Sequence, residues 1–401
     1  MNMQCMPYLI ASFILAIFLS LYAVPIVVKV AHSLRFMDNP NERSAAESPI
    51  PTLGGISIFL SFIFSSTLGL TGEIMPEFIY IIIAALLMFF VGLKDYILTL
   101  SARKKLGAQL MAAAIIIFLG KMRFTDLHGF LGIEGIGIMP GVILTFFAVI
   151  GIINAFNLMD GIDGLCAGLS MLAAAVFGSW FFISGHFNYA ILSFSLVGAI
   201  AGFFWYNVYG TKNRIFMGDT GSLVLGTIMS VLVIQFNEFN IDQTQPFAIA
   251  SAPAVSFGIL IYPLVDTLRV FIIRILNFKS PFLADKNHLH HRLLTLGLSH
   301  KQATYTIMGM NFLFIVAVFS LKNFGILNVM LFNLIIGGLL FMIPAYLIQK
   351  KDLIKHSDHQ QQLLFPGAAF QLLKNRRKAV KVAKRRSAAR ALNLVDFSEN
   401  I

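Results

Sequence analysis

The sequence has 401 residues, of which 57% are hydrophobic and only 12% are charged, and its formal net charge is +11. Soluble globular domains have about 25% charged residues, so this composition excludes an ordinary soluble protein. The apolar residues fall in blocks of roughly 17 to 25, the length that crosses a bilayer as a helix. Lipid admits only helices or closed barrels, and alternating strand patterns are absent. We therefore predict an all-α polytopic membrane protein.

Eleven transmembrane helices are predicted from these blocks. The first, from about Tyr8 to Val30, is too long for the apolar region of a signal peptide and follows no basic segment. The ninth is longer than a membrane crossing requires, so its end is expected to project into the cytoplasm. The two cysteines, Cys5 and Cys166, have neither a metal-binding nor a disulfide spacing. The predicted helices cover residues 7–30, 53–71, 77–93, 107–120, 137–158, 164–184, 188–207, 221–236, 246–277, 304–321 and 325–348.

The basic residues are distributed unevenly between the two sides of these helices. All but three of the 30 lysines and arginines fall on one side, and the exceptions are Lys121, Arg123 and Lys322. Cytoplasmic loops carry the excess of lysine and arginine in membrane proteins. We therefore predict that the N-terminus lies outside and the C-terminus lies in the cytoplasm. The positive net charge then reflects orientation and does not indicate binding to nucleic acid.

Two domains are predicted. Residues 1–348 form a transmembrane catalytic domain whose active-site loops face the cytoplasm, and residues 349–401 form a basic cytoplasmic tail. Within the tail, residues 366–392 interleave lysines and arginines with aliphatic residues, a pattern that suits a helix on an anionic membrane surface. A disordered basic tail explains the same composition equally well.

The connection after the fifth helix has the densest polar motif. Asn154, Asn157 and Asp160 are spaced by three residues, which puts their side chains near one face of a helix. Asp163 follows, and a glycine after each aspartate frees the backbone to turn closely around a ligand. A helix cap and turn is the alternative, but four polar side chains in ten residues exceed that need. The motif indicates binding of a nucleotide or a metal.

The connection after the seventh helix ends in the string Phe216-Met-Gly-Asp219-Thr-Gly-Ser222. Asp219 stands where the next helix begins, a place where free backbone N–H groups favour phosphate. A carboxylate there can also hold Mg²⁺, which bridges phosphate oxygens. The alternative is an aspartate that only caps the helix.

Two further connections on this side have weaker signals. Asp95 precedes the basic cluster Arg103-Lys104-Lys105, which is suited to binding a metal and a phosphate, although it also fits a plain cytoplasmic basic cluster with one acid. In the first connection, Arg43 lies in a loop that is rich in proline and glycine, and it is a candidate partner for phosphate.

The connection after the ninth helix contains three histidines, His288, His290 and His291, followed by Arg292. A structural zinc site needs four converging ligands. His290 and His291 are adjacent and point apart on a helix, and no cysteine is near. Donation of hydrogen bonds to phosphate and sugar oxygens is the better interpretation.

Taken in order, the motifs from about Asp38 to Gly297 resemble those of the polyprenyl-phosphate N-acetylhexosamine-1-phosphate transferase superfamily. The strings Asn-x-x-Asn-x-x-Asp-Gly-x-Asp-Gly-Leu, starting at Asn154, and Phe-Met-Gly-Asp-x-Gly-Ser, starting at Phe216, are the most specific. The string Asn287-His-Leu-His-His-Arg-Leu293 resembles the branch that transfers N-acetylglucosamine-1-phosphate from UDP-N-acetylglucosamine.

The resemblance implies an enzyme of a bacterial cytoplasmic membrane that joins a UDP-N-acetylhexosamine to a polyprenyl phosphate among the membrane lipids. It implies Mg²⁺, with Mn²⁺ as an alternative, and leaves a homodimer open. Asp219 and Asp95 are the expected metal ligands. The expected catalytic residues are Asp95, Asp160, Asp163 and Asp219. The expected substrate-binding residues are Arg43, Lys104, Asn154, Asn157, Phe216, His288, His290, His291 and Arg292.

Within this set, the resemblance implies a uridine pocket at Asn157, Asp160, Asp163 and Phe216. Mg²⁺ on Asp219, with nearby cations, would offset the repulsion between the donor's phosphates and the lipid phosphate. Asp95 would handle the lipid phosphate, either as a base or by positioning the metal or the lipid.

The sequence departs from the family pattern at two places. Tyr96 occupies the position of a usual second aspartate after Asp95, and Ser44 and Ala46 replace a basic residue and a histidine after Arg43. Three alternatives therefore stay open: an active enzyme in which Asp95 suffices, a catalytically silent homologue, and a transport or lipid-binding protein. The third is disfavoured because transporters bind near the membrane midplane, often in repeated halves.

Overall fold

The structure is a computed structural model that describes residues 5–34, 36, 50–70, 75–278, 288–364 and 375. The helices are α1 (Met6–Ser33), α2 (Gly54–Gly69), α3 (Glu77–Leu98), α4 (Ala102–Ala114), α5 (Ile138–Met159), α6 (Leu165–Ile183), α7 (Phe187–Tyr209), α8 (Gly218–Glu238), α9 (Ala252–Ile259), α10 (Ile261–Leu276), α11 (Leu289–Thr295), α12 (His300–Ser320) and α13 (Ile326–Leu364). A π-helical turn over Ile115–Leu119 continues α4.

Eight of the described helices are long and apolar enough to cross a membrane, and α2 is a shorter apolar helix. The chain is therefore a mostly helical, multi-pass membrane protein. Each of the eleven predicted segments overlaps a helix or a pair of helices, while the number of actual crossings stays a prediction. The chain divides into two compact units, Met1–Met342 and Ile343–Ile401. The predicted surface helix over 366–392 lies outside the described residues except for Asn375.

The ninth predicted helix is not continuous, which corrects the prediction for 246–277. It begins only at Ala252 and is interrupted at Leu260, between α9 and α10. The cause is Pro263, which has no N–H to donate to the carbonyl of Ile259 one turn earlier. The side-chain amide of Asn311 on α12 donates to that carbonyl instead, over 3.3 Å. The break is thus satisfied by a neighbouring helix, as backbone at membrane depth requires.

A two-stranded antiparallel hairpin, β1 (Asp126–Phe130) and β2 (Ile133–Gly135), was missed by the all-α prediction. Its strands are too short to show an alternating pattern. The segment before it is joined to the end of α8, because Glu238 accepts hydrogen bonds from the backbone N–H and the hydroxyl of Thr125, at 2.9 and 2.7 Å.

Helix α8 is the centre of the bundle. It packs against α2, α3, α5 and α6. Of the residues in its most apolar stretch, 94% are buried inside the protein. Small residues allow this close approach between helices, as in other membrane bundles. Gly92 of α3 lies directly against the first turn of α8, where an added Cβ would come within 2.6 Å of the Asp219 carbonyl oxygen and 2.5 Å of the Thr220 nitrogen.

We expect Gly92→Ala to lower the melting temperature, because backbone cannot yield to the added methyl as a flexible side chain would. Overpacking of this kind costs about 1–3 kcal/mol. Gly107→Ala on α4 is the matched control, since a Cβ there meets nothing within 4 Å. Thermal unfolding in detergent compares the two variants. Equal melting temperatures for Gly92→Ala and wild type would contradict the packing argument.

Candidate active site

A pocket of about 380 Å³ lies at the end of the bundle where α8 begins. It is formed by the ends of α3 and α8, by α11 and by the connection between α5 and α6. Six of the residues predicted from the sequence line it: Asp95, Asp160, Asp163, Phe216, Asp219 and His291. Tyr96 lines it as well, and its ring contacts that of Phe36 edge to face at 5.9 Å. Carboxylates that are far apart in the sequence thus converge in one pocket.

Lys105 joins two of these carboxylates. Its Nζ lies 2.8 Å from Oδ2 of Asp95 and 2.6 Å from Oδ2 of Asp219. Burial lowers the pKa of Lys105, but the charges and hydrogen bonds of Asp219 and Asp95 outweigh this and raise the pKa above its ordinary value. The ammonium group is therefore charged, and one carboxylate oxygen from each of the two aspartates faces it.

Asp219 is held from its other side as well. Its Oδ1 accepts a hydrogen bond of 3.0 Å from the side-chain amide of Asn157, which also lies 2.9 Å from the hydroxyl of Ser222. Asp219 is the second residue of α8, and its side chain does not cap that helix. The capping alternative is therefore wrong, because both carboxylate oxygens are directed to side chains of α4 and α5.

Asp95 is fixed by the way in which α3 ends. Its Oδ1 accepts a 2.7 Å hydrogen bond from the backbone N–H of Leu100, and its carbonyl accepts one of 2.8 Å from Thr99. Thr99 has the left-handed φ of 46°, which terminates the helix. One oxygen of Asp95 thus stabilises the turn, while the other faces Lys105.

Asp160 follows the last residue of α5 and is half-buried. Burial, together with the nearby charges of Asp219 and Asp163, raises its pKa to about 7, although a hydrogen bond from the backbone of Gly218 opposes the shift. A carboxyl group with this pKa exchanges a proton near neutral pH and adds less negative charge to the pocket than an ordinary aspartate.

Asp163 is almost fully buried and forms an ion pair with Arg214. Its carbonyl accepts a 2.7 Å hydrogen bond from the hydroxyl of Thr304 on α12. The guanidinium of Arg214 in turn lies 5.7 Å from the centre of the Phe216 ring. Asp163 therefore positions an arginine and an aromatic ring on the pocket wall.

The three histidines have different environments. His288 is buried, and its Nδ1 lies 2.8 Å from Oδ2 of Asp266 on α10. His290 is only 1% exposed, and burial together with neighbouring His291 lowers its pKa to about 3, so its ring is neutral. His291 is half-buried and is the member of the three that lines the pocket. Arg292 is half-buried, and burial lowers its pKa.

Two other predicted residues, Asn154 and Lys104, do not line the pocket. Asn154 exchanges hydrogen bonds of 2.9 and 3.3 Å with Gln109 of α4, a partly buried amide pair that joins two helices. Lys104 is exposed on α4, next to the half-buried Lys105. Arg43 lies outside the described residues.

Sequence reasoning missed Lys105, Arg214 and Asp266 as candidate site residues. Asp266 had a usable signal, because a carboxylate inside an apolar helix is expensive and usually functional. The prediction of a single helix over 246–277 hides this signal, because it places Asp266 within one long apolar segment.

Comparison with known proteins agrees with the family resemblance. Residues 78–237 match the model of glycosyl transferase family 4. A protein of Bacillus subtilis (strain 168), named as a probable undecaprenyl-phosphate N-acetylglucosaminyl 1-phosphate transferase, is 32% identical over 324 residues, covering 79% of this chain and 85% of the relative. The undecaprenyl-phosphate alpha-N-acetylglucosaminyl 1-phosphate transferase of Escherichia coli (strain K12) is 30% identical over 278 residues, which are 69% of this chain and 73% of that protein. On this similarity, the chain belongs to glycosyl transferase family 4.

Proposed function

We propose that the protein transfers N-acetylglucosamine-1-phosphate from UDP-N-acetylglucosamine to undecaprenyl phosphate and releases UMP. An oxygen of the lipid phosphate forms a bond to the sugar-linked phosphorus, and the bond from that phosphorus to the oxygen bridging it to the uridine phosphate breaks. The names of the relatives support the substrates. The observation that carries the proposal is the convergence of Asp95 and Asp219 on a single cationic centre at Lys105.

The reaction requires three phosphate groups to meet, and their repulsion is the main obstacle in a partly buried pocket. Phosphoryl transfer depends mostly on positioning and on neutralising charge. Lys105 and Arg214 supply two positive charges beside the pocket, and His291 supplies a further hydrogen-bond donor. A protonated Asp160 would reduce the opposing negative charge.

The two carboxylates that pair with Lys105 would also hold Mg²⁺. Asp219 and Asp95 each direct one carboxylate oxygen at Lys105 Nζ, so both can face one cation, and hard cations prefer such ligands. Among the described residues no group of three or more His, Cys, Asp or Glu side chains converges. Mg²⁺ is usually bound by one or two carboxylates together with water and substrate phosphates. When bound, Mg²⁺ would neutralise phosphate charge. Asn157 would keep Asp219 oriented towards it.

The remaining roles follow from the walls of the pocket. Arg214, held by Asp163, is suited to the donor's phosphates, and Phe216 offers a ring face to the uracil base. Asp95 positions Lys105 and the acceptor phosphate. A base is not essential, because a lipid phosphate with a pKa of about 6 is largely deprotonated at neutral pH.

The proposed setting is the bacterial cytoplasmic membrane, with the pocket on the cytoplasmic side. The charge distribution supports this orientation. Lys105 and Arg214 belong to the pocket end of the helices, whereas Lys121 and Arg123 follow the far end of α4, beside the hairpin. Excess lysine and arginine favour the cytoplasm.

Substitution of Tyr96 tests whether the lack of a second aspartate after Asp95 lowers the activity of the native enzyme. We expect Tyr96→Asp to raise kcat by no more than about threefold, because Asp95 alone already pairs with Lys105 and a second carboxylate would add repulsion to the phosphates. UMP release under saturating substrates measures the effect, with Tyr96→Phe as the matched control. A gain of about tenfold or more would mean that tyrosine had replaced a needed carboxylate.

The proposed function itself is tested by UMP release from UDP-N-acetylglucosamine by the purified protein with undecaprenyl phosphate. Release that requires the lipid acceptor and a divalent cation is the expected result. A folded protein that binds the lipid but releases no UMP would instead support a silent homologue or a lipid-binding protein.

A further inference from the structure

The histidine segment His288–Arg292 is anchored to α10 by a carboxylate that does not line the pocket. Asp266 is 3% exposed and His288 is 5% exposed. Oδ2 of Asp266 lies 2.8 Å from His288 Nδ1, and Oδ1 accepts a 3.1 Å hydrogen bond from the backbone N–H of Leu289. We infer that Asp266 is a positioning residue, which holds this segment so that His291 faces the donor's phosphates and sugar. The inference rests on the proposed function.

A buried carboxylate needs compensation, since an unpaired charge in a low-dielectric environment is strongly unfavourable. Asp266 receives it from Arg269, whose Nη2 lies 3.1 Å from Oδ1, and from the two donors of the histidine segment. An ionised carboxylate only accepts hydrogen bonds, so Nδ1 of His288 carries the proton. This fixes the orientation of the ring and the start of α11.

The next contact links the anchored segment to the pocket. His290 follows two residues later, and its Nδ1 lies 3.5 Å from the hydroxyl of Tyr262 on α10. Its Nε2 packs against Gly161, where an added Cβ would approach to 2.4 Å. Gly161 belongs to the turn between Asp160 and Asp163, so α10, the histidine segment and the acidic turn form one packed stack.

This arrangement assigns separate tasks to the histidines. His288 and His290 are buried and face protein groups, whereas His291 lines the pocket. An error of about 1 Å in the placement of a catalytic group can cost about 10²-fold in rate. Loss of the Asp266 contact is therefore expected to act on the reaction through His291.

The test is Asp266→Asn, which keeps the shape of the side chain but removes its charge. We expect kcat/KM for UMP release to fall roughly 10- to 100-fold. Glu238→Gln is the matched control, because this carboxylate also accepts from a backbone N–H and a side chain, but at the opposite end of α8. Glu238→Gln is expected to keep the activity of the wild type, while its melting temperature changes by about as much as that of Asp266→Asn.

A double-variant comparison separates positioning from general loss of structure. In a His291→Ala background, Asp266→Asn is expected to cost less than about twofold, because the group through which it acts is already gone. Losses that multiply in the double variant, or an Asp266→Asn variant as active as Glu238→Gln, would overturn the inference.

Two further measurements keep the inference testable if Asp266→Asn does not fold or if the chemistry differs. His288→Asn retains an N–H near the position of Nδ1, and it should keep more activity than His288→Leu. Stabilisation by UDP-N-acetylglucosamine in a thermal melt needs no lipid acceptor. Wild type that releases no UMP would remove the proposed function, whereas a ligand-induced shift unaffected by Asp266→Asn would remove the positioning role.

Discussion

Asp219→Asn is expected to abolish UMP release, with a loss of about 10³-fold or more. The substitution removes a charge that faces Lys105 at 2.6 Å and that receives the amide of Asn157 at 3.0 Å. Removing one preorganised electrostatic group from a partly buried site typically costs 10²–10³-fold. The carboxylate of Asp219 is also the principal proposed Mg²⁺ ligand, so we expect a loss at or above the upper end of this 10²–10³-fold range.

A second readout isolates the metal from the chemistry. Binding of UDP, measured with and without Mg²⁺, should lose its dependence on Mg²⁺ in Asp219→Asn. Asp242→Asn provides the control, because Asp242 is exposed in the connection that follows α8. Near wild-type turnover by Asp219→Asn would remove Asp219 from the metal site.

Lys105→Met should reduce kcat/KM by about 10²-fold, since it removes the cation between Asp95 and Asp219. Methionine preserves much of the length of the side chain, so packing along α4 is largely retained. In the absence of metal, the two carboxylates would then face each other without compensation. Mg²⁺ should therefore raise the melting temperature of Lys105→Met more than that of wild type.

The basic cluster at the start of α4 provides its own comparison. Arg103 is exposed on the same helix, and Arg103→Met is expected to change kcat/KM by less than threefold. Lys104→Met tests the role first predicted for Lys104. A loss at Lys104 as large as at Lys105, with Lys105→Met still active, would restore the original assignment.

The sequence predicted the acidic residues of the site better than the basic ones. Glycines flank the acidic residues Asp160, Asp163 and Asp219 at the ends of apolar helices. This local pattern can be recognised in the sequence without knowledge of the fold. Lys105 has no comparable mark. The sequence predicts one loop over residues 94–106, but α3 continues to Leu98 and α4 starts at Ala102. Successive residues on a helix are rotated by about 100°, so only the helix reveals which lysine faces inwards.

Asn154 illustrates the opposite error. Its spacing of three from Asn157 correctly indicates a nearby face of α5, but Asn154 lies almost one turn deeper. At that depth the neighbour is Gln109 of α4, with which it forms a paired amide contact. Periodicity gives the direction of a side chain, whereas depth along the helix and the neighbouring helix decide what it meets.

The histidine segment required tertiary structure to interpret. The string of residues does not tell which ring faces a ligand, because this depends on Asp266 and Tyr262 in α10. The break at Leu260 did have a signal in Pro263, yet the surrounding apolar residues hid it. Prolines are tolerated in membrane helices when neighbours satisfy the freed backbone groups, and that neighbour, Asn311, lies on a helix far along the chain.

The enclosure of α8 has a consequence for how the two walls of the pocket respond during turnover. Repacking of a helix surrounded on all sides would disturb several neighbours at once, so the wall that carries Asp219 is expected to keep its shape through the reaction cycle. A site of this kind incurs little reorganisation energy at the moment of transfer. Adjustment to substrates of different size then falls to the part of the pocket lined by His291 and Leu294 of the short α11.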